Sequence, residues 1–307
     1  MNSDYLIAFL ASTAGAATPL IMASMGELVT ERSGVLNLGL EGMMLVGAVV
    51  GFMVTLGTGS MTLGLIAAMA AGMGMALIFG FLVLTLQTNQ VATGLALTLF
   101  GVGLSAFLGR GLVGQTVDPL PHLNLSMLSD IPFIGPLLFR FDAMVYASVA
   151  LVIAVSWMLA RTRLGLVIRA VGESPHSAHA IGFPVIGLRY GTVLFGGAMA
   201  GIGGAYLSMA LTPMWVEGMT AGRGWIALAQ VVFATWKPRG VMLGAYLFGG
   251  VTVLQFHGQG FGLAIPSEFL SMLPYLATIV VLVIICRNPQ TILLNKPMSL
   301  GQNFRAD

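Results

Sequence analysis

Residues 31–48 read ERSGVLNLGLEGMMLVGA, which sets Glu31, Arg32, Asn37 and Glu41 at the start of an otherwise strongly apolar helix. An ionised carboxylate at the centre of a membrane span costs about 2.5–3.5 kcal/mol on insertion scales, so Glu41 must face protein or water and find a partner. Asn37 and Glu41 are one helical turn apart and are expected to point inward together. They either join helices through hydrogen bonds or line a route across the membrane.

The surrounding chain explains why that stretch matters. Hydrophobic residues make up 57% of the 307 and charged ones 8%, against about 25% charged in ordinary globular proteins. Mean hydropathy is +0.94. Several apolar stretches are long enough for a hydrocarbon core of about 30 Å, which takes roughly 20 helical residues. The alternation of a membrane β-barrel is absent. The expected fold is therefore one all-α polytopic membrane domain over residues 1–307. The opening MNSDYLIAFL lacks the basic region of a secretory signal, so the first apolar segment is read as a retained span.

Apolar runs bounded by polar or Pro/Gly breaks give nine spans, near 5–26, 34–56, 62–86, 90–109, 142–160, 190–211, 224–236, 240–256 and 268–286. With the amino terminus outside, the inner side receives Arg32, Arg161, Arg163, Arg169, Arg189, Lys237, Arg239, Arg287, Lys296 and Arg305; Arg110, Arg140 and Arg223 stay outside. Ten cations against three fix this orientation by the positive-inside rule. It puts the 161–190 connection and the tail in the cytoplasm. The 110–141 segment, with Asp118 and Asp130, then faces outward. The seventh span begins at TAGRGW and stops at TWKPRG. It is too short to cross as a straight helix and reads as broken or re-entrant, which lipid tolerates only where protein or a water-filled cavity covers the backbone.

Small residues recur at helix-packing intervals: Gly72, Ala76 and Gly80; Gly101, Ser105 and Gly109; Gly196, Ala200 and Gly204; Gly197 and Gly201. Inside lipid such stripes mean close helix contact.

Most catalytic chemistry is excluded. The two lysines, Lys237 and Lys296, each precede proline, so no phosphate-cradling Gly-Lys-Ser/Thr loop exists and the chain binds no nucleotide of its own. The dinucleotide-like GVGLSA at 101–106 and GRGWIA at 222–227 lack a strand–helix setting. His176 and His179 are three apart with no further ligands nearby, short of a four-ligand metal site. His122 and His257 fall in outward loops without a nucleophile elbow. The single cysteine, Cys286, excludes an intrachain disulfide. A net charge of +2 gives no reason to expect a nucleic-acid partner.

The polar residues left at membrane depth are candidate pathway groups: Asn37 and Glu41; Asn89, Gln90 and Thr93 at the mouth of the fourth span; Gln230 in the seventh. In the inner connection, Gly172 and Gly182 bracket a short helix that Ser174-Pro175 would open. Its Ala170, Ala178, Ala180 and Ile181 are available to contact a partner.

ERSGVLNLGLEGMMLVGA resembles a signature of the permease subunits of bacterial ABC importers for branched-chain amino acids, simple sugars and nucleosides. NQVATGLALTLFGVGLS at 89–105, RAVGESPHSAHAIGF at 169–183, FGGAMAGIGGAYLS at 195–208 and GRGWIALAQVVFATWKPRGVMLGAYLFGG at 222–250 are similar to further family segments, in family order. Gly-Arg-Gly-Trp with the later Trp-Lys-Pro points toward the nucleoside and simple-sugar branch. Trp225 joins the candidate pathway groups if the solute is a nucleoside that stacks on it. The resemblance implies a bacterial inner-membrane permease that is not itself an enzyme. Its implied partners are a second permease subunit, an ABC ATPase holding ATP and Mg, an outer-face solute-binding protein, a small-molecule solute and the surrounding lipid. It also makes Gly172, Glu173, Pro175, Ala178 and Gly182 the residues that couple to the ATPase. Gln230 and Thr235 depart from the small or basic residues expected at those positions. The competing class is an ion-gradient-driven transporter with Glu41 as its ion site.

Overall fold

The computed structural model describes residues 3–121, 123, 135, 139–260, 269, 272–286 and 294–305. These are helical apart from turns, loops and two isolated bridges, Val113–Trp215 and Thr116–Met214. His122, Asp130 and Arg287 lie outside the described residues, as does the side chain of Cys286.

In chain order the helices are α1 (Ser3–Arg32), α2 (Leu40–Thr58), α3 (Met61–Gly80), α4 (Gln90–Gly109), α5 (Ala143–Arg161), α6 (Arg163–Glu173), α7 (Pro175–Ala180), α8 (Val185–Tyr206), α9 (Arg223–Phe233), α10 (Pro238–Gly260) and α11 (Leu273–Cys286). Wider five-residue π turns prolong α3 over Phe81–Thr85 and α8 over Leu207–Leu211. Polar caps set several starts. Asn89 accepts from Ala92 N to open α4, and Asp142 from Met144 N and Val145 N to open α5. Thr162 accepts from Gly165 N to open α6, and Ser174 from Ser177 N to open α7. Each replaces an intrahelical acceptor that a first turn lacks.

Among the described residues, seven helices are long and apolar enough to cross a membrane: α1, α2, α3 with its π turn, α4, α5, α8 with its π turn, and α10. Nine spans were expected, and these seven are the ones of spanning length among the described residues. The seventh expected span is the short α9, 11 residues long. The ninth is represented by the 14 residues of α11, since most of 261–271 lies outside the described residues. α10 runs through His257, which had been expected in a loop.

Two boundaries moved for physical reasons. α1 runs on to Arg32 rather than stopping near 26, because Glu27 and Glu31 are received by protein instead of lipid. The second span starts at Leu40, not 34. Gly34 turns the chain at φ +91°, and Asn37 Oδ1 accepts from Gly39 N at 3.0 Å, so residues 33–39 pass through the bundle without helix. Asn37 and Glu41 are therefore not successive turns of one helix.

α2 and α8 are buried over most of their length, whereas α4 and α10 present most of their surface outward. The small-residue stripes explain how α8 can be central. A Cβ on Gly201 would strike the Ala68 carbonyl and the Gly72 Cα of α3, and one on Gly47 would strike Gly201. Backbones meet there at a distance that side chains would prohibit. Leu99, Phe107, Ile153, Trp157 and Leu243 point out of the bundle, as lipid-facing residues should.

One end of the bundle gathers the cations. Arg32 donates to Trp236 O at 2.7 Å and to Asn295 O at 3.2 Å, and Arg189 donates to Ser33 O and to Ser299 Oγ, both at 3.1 Å. The end of α1, the base of α8, the α6–α7 elbow and the tail thus share this basic face.

Candidate functional site

Glu41 stands in the first turn of α2 with 6% of its surface exposed. Its Oε1 accepts from Thr220 Oγ1 at 2.5 Å and from Gly222 N at 2.9 Å, and its Oε2 accepts from Gly224 N at 2.6 Å. Thr220, Gly222 and Gly224 belong to the turn that opens α9. A carboxylate from one helix therefore caps another. It satisfies amides that a helix start leaves without partners, and it sits at the positive end of the helix dipole. Glycine is required at 224, where a Cβ would lie 2.6 Å from both Glu41 Cα and Oε2. Gly222 adopts φ +82°, open to glycine and rarely to other residues.

The unwound 33–39 stretch is met on every side. Asn37 N donates to Glu27 Oε1 at 3.1 Å, Leu36 N to Gln90 Oε1 at 2.9 Å, and Thr98 Oγ1 to Leu38 O at 2.9 Å. Irregular backbone at bilayer depth survives only with such partners. Near the basic face, Glu31 Oε2 accepts from Trp236 Nε1 at 2.5 Å. Among the described residues, Glu27 Oε2 and Glu31 Oε1 are the buried side-chain oxygens without a hydrogen-bond partner. Glu27 was not singled out from sequence; an acid within an apolar run was the available signal.

The expected pathway residues do not converge. Gln230 is fully buried, accepting from Ser24 Oγ at 2.8 Å and donating to Val241 O at 3.0 Å, so it fastens α9 to α1 and α10. Asn89 caps α4, Thr93 pairs with Thr88 at 2.8 Å, and Gln90 reaches Asn303 Oδ1 at 3.2 Å as well as Leu36. Trp225 is half-buried against the main core. None of Asn37, Glu41, Asn89, Gln90, Thr93, Trp225 and Gln230 lines the cavities described next.

A cavity of about 450 Å³ opens toward the end opposite the basic face, where Ser12, Asp142, Tyr206, Arg223, Thr252 and Phe256 contribute to its wall. Ser12 and Arg32 are twenty residues apart on α1, roughly 30 Å at the helical rise. Tyr206 Oη donates to Asp142 Oδ2 at 2.7 Å, which fixes that wall. Arg223, anchored through Nη1 to Met219 O at 3.1 Å, also borders a neighbouring cavity of about 260 Å³ with Gln255 and Tyr275. The volume of about 450 Å³ falls within the roughly 300–1,000 Å³ usual for small-molecule sites, and the mixture of aromatic, hydroxyl and guanidinium groups suits a hydroxylated solute. A larger cavity, about 980 Å³, is lined chiefly by apolar side chains of α1, α5 and α10 and offers little to orient such a solute. Arg223, Tyr206 and Asp142 were missed from sequence as a group, because they are distant along the chain.

The elbow divides differently from expectation. Glu173 and Gly182 are exposed, while Gly172, Pro175 and Ala178 are buried. Ala178, expected to face a partner, packs with Val171, Val185 and Phe304 instead. His176 and His179 rest their rings on the edge of Phe304, at centroid distances of 5.1 and 5.6 Å. Among the described residues no group of three metal-binding side chains occurs.

The family described as branched-chain amino acid transport system / permease component matches residues 9–285. TsgC13 of Haloferax volcanii, whose name assigns it provisionally as a glucose ABC transporter permease, is 41% identical over 99% of both chains. The nucleoside ABC transporter permease NupC of Lactococcus lactis is 35% identical over 86% of this chain and 88% of its own. The guanosine ABC transporter permease NupQ of Bacillus subtilis is 33% identical over 87% of this chain and 88% of its own. With the helical bundle, the short capped helix α9 and the basic elbow, these matches identify the chain as a multi-pass membrane protein of the ABC importer permease family, a transport subunit rather than an enzyme.

Proposed function

We propose that this chain is a permease subunit that carries nucleosides inward, working with a partner ATPase, a second permease subunit and an outer-face solute-binding protein. The observation that carries this reading is the match over residues 9–285, together with two nucleoside-named relatives that each share over four-fifths of the chain. Glucose or a related simple sugar is the second reading, favoured by the 41% relative. Both solutes present hydroxyls, and the cavity at Tyr206, Arg223 and Thr252 is where they would first be held. The basic face lies in the cytoplasm by its excess of cations, so this cavity opens outward.

ATP and Mg bind the partner ATPase, not this chain. In this reading, closure of the ATPase pair presses on the elbow around residues 170–182, with Glu173 and Gly182 at the contact surface. Gly172, Pro175 and Ala178 shape the elbow from beneath. Nucleotide shifts the permease between states only by binding them unequally, and the elbow is where that inequality acts. The rival role of Glu41 as an ion site would require its carboxylate to abandon three donors.

The test is uptake into proteoliposomes holding the complete transporter, against a panel of nucleosides, pentoses and hexoses. ATP-dependent uptake of nucleosides is expected, with the KM raised about tenfold by Arg223→Gln, equivalent to about 1.4 kcal/mol. Glu173→Arg should release the ATPase without impairing membrane insertion. Uptake that an uncoupler abolishes and ATP fails to drive would refute the proposal.

A further inference from the structure

We infer that the C-terminal segment 295–304 is the linkage that carries displacement of the elbow to the turns from which α2 and α4 start. The inference rests on the ATP-driven reading above. α7 packs on α6 and the start of α8; besides the hydroxyl contact of Tyr190 in α8 with Thr85, its connection to the turn between α3 and α4 runs through the tail. At one end Phe304, 4% exposed, is buried among Val171, Ala178 and Val185 beneath the two histidine rings. Its carbonyl accepts from Gln87 Nε2 at 2.6 Å. Asn303 Nδ2 donates to Gln87 O at 2.7 Å and Thr88 O at 3.1 Å, and Asn303 Oδ1 accepts from Gln90 Nε2 at 3.2 Å. Gln90 in turn receives Leu36 N, in the unwound stretch that leads to Glu41.

The other end is fastened to the elbow and to α1. Ser299 N and Oγ both donate to Gly172 O, at 2.9 and 2.7 Å, and Gly301 N donates to Gly34 O at 3.1 Å. Arg189, 1% exposed, gathers Ser33 O, Gln302 O and Ser299 Oγ, each at 3.1 Å. The tail therefore bonds the elbow, the α1–α2 turn and the α3–α4 turn together. A push on α7 cannot leave Phe304 in place without opening the cluster that holds it. Because Asn303 and Gln87 sit next along the same path, the push reaches the turn that opens α4 and, through Gln90, the stretch that opens α2.

Asn303 and Phe304 are thus positioning residues, and their signature is efficiency rather than assembly. The experiment measures solute uptake and ATP hydrolysis side by side in proteoliposomes of the complete transporter, for wild type, Phe304→Ala, Asn303→Ala, Gln87→Ala and the conservative Phe304→Leu. ATPase co-purification and hydrolysis should stay near wild type, while uptake per ATP falls about fivefold or more for the three alanine variants. Phe304→Leu should recover most of the ratio. Asn303→Ala combined with Gln87→Ala should fall further than either alone, since the two side chains hold the tail to the α3–α4 turn through separate hydrogen bonds. Unchanged uptake per ATP in these variants overturns the inference, as does loss of uptake and ATPase binding in equal proportion, which would make the tail a docking surface or a brace. If Phe304→Ala fails to assemble, Gln87→Ala decides, because it removes the bond to Phe304 O and a long one to Leu84 O and leaves the Phe304 cluster filled. Wild-type uptake that ATP does not drive would overturn the functional reading and this inference together, whereas ATP-driven uptake with an unchanged ratio removes the inference alone.

Discussion

Replacing Glu41 tests whether the short helix α9 depends on a borrowed cap. In Glu41→Gln the amide oxygen can still receive Thr220 and Gly222, but its NH2 group confronts Gly224 N–H, donor against donor. One charge-assisted bond is lost, about 1.5–3 kcal/mol, along with the attraction of a full charge to the helix dipole, about 0.3–2 kcal/mol. A loss near 3 kcal/mol is expected. Glu41→Leu leaves three donors without an acceptor, each about 1–3 kcal/mol when buried, so the loss should be about twice that of Gln. Thermal unfolding of the detergent-solubilised protein gives the ranking wild type, Gln, Leu; at about 2–4 °C per kcal/mol for a chain of this order, the Gln variant should melt roughly 6–12 °C lower. Thr220→Val should lower the melting point of wild type and have much less effect on Glu41→Leu, where its acceptor is already gone. A Leu variant that melts and transports like wild type would refute the capping role.

Gly201→Val should destabilise by about 2–3 kcal/mol or prevent folding, because the added carbons press on the Ala68 carbonyl and the Gly72 Cα rather than on a movable side chain; melting near wild type would show that α3 can step aside. Gln230→Leu fills nearly the same space but strands Ser24 Oγ, at about 1–3 kcal/mol for a buried group, and removes the second donor to the helical Val241 O. Adding Ser24→Ala should restore part of the loss, and uptake selectivity among solutes should not change, which a competition assay would reveal.

Residue chemistry and its spacing along the chain carried much of this reading before any coordinates. Span positions followed from apolar length, since hydrocarbon thickness imposes a local requirement that a run such as 143–161 meets by itself. The collection of cations on one end was equally legible, as was the small-residue seam of α3 and α8, because a stripe at helical period can serve only close contact. Even the broken character of 224–236 could be seen from its length. The family followed from motifs in order along the chain.

Tertiary structure alone decided what the polar residues do. Glu41 lies 179 residues from Thr220 and 183 from Gly224, and nothing in the stretch ERSGVLNLGLEGMMLVGA shows that its partners are backbone amides of a distant turn. Gln230, a candidate solute contact in the sequence, bonds to Ser24 206 residues away; Ala178, a candidate coupling residue, packs against Phe304. Burial at low dielectric obliges each such group to find a donor or acceptor, and this obligation can be read from the sequence. Which partner answers it depends on how helices cross in three dimensions, so a residue that must be satisfied and a residue that must meet solute look alike until the bundle is assembled.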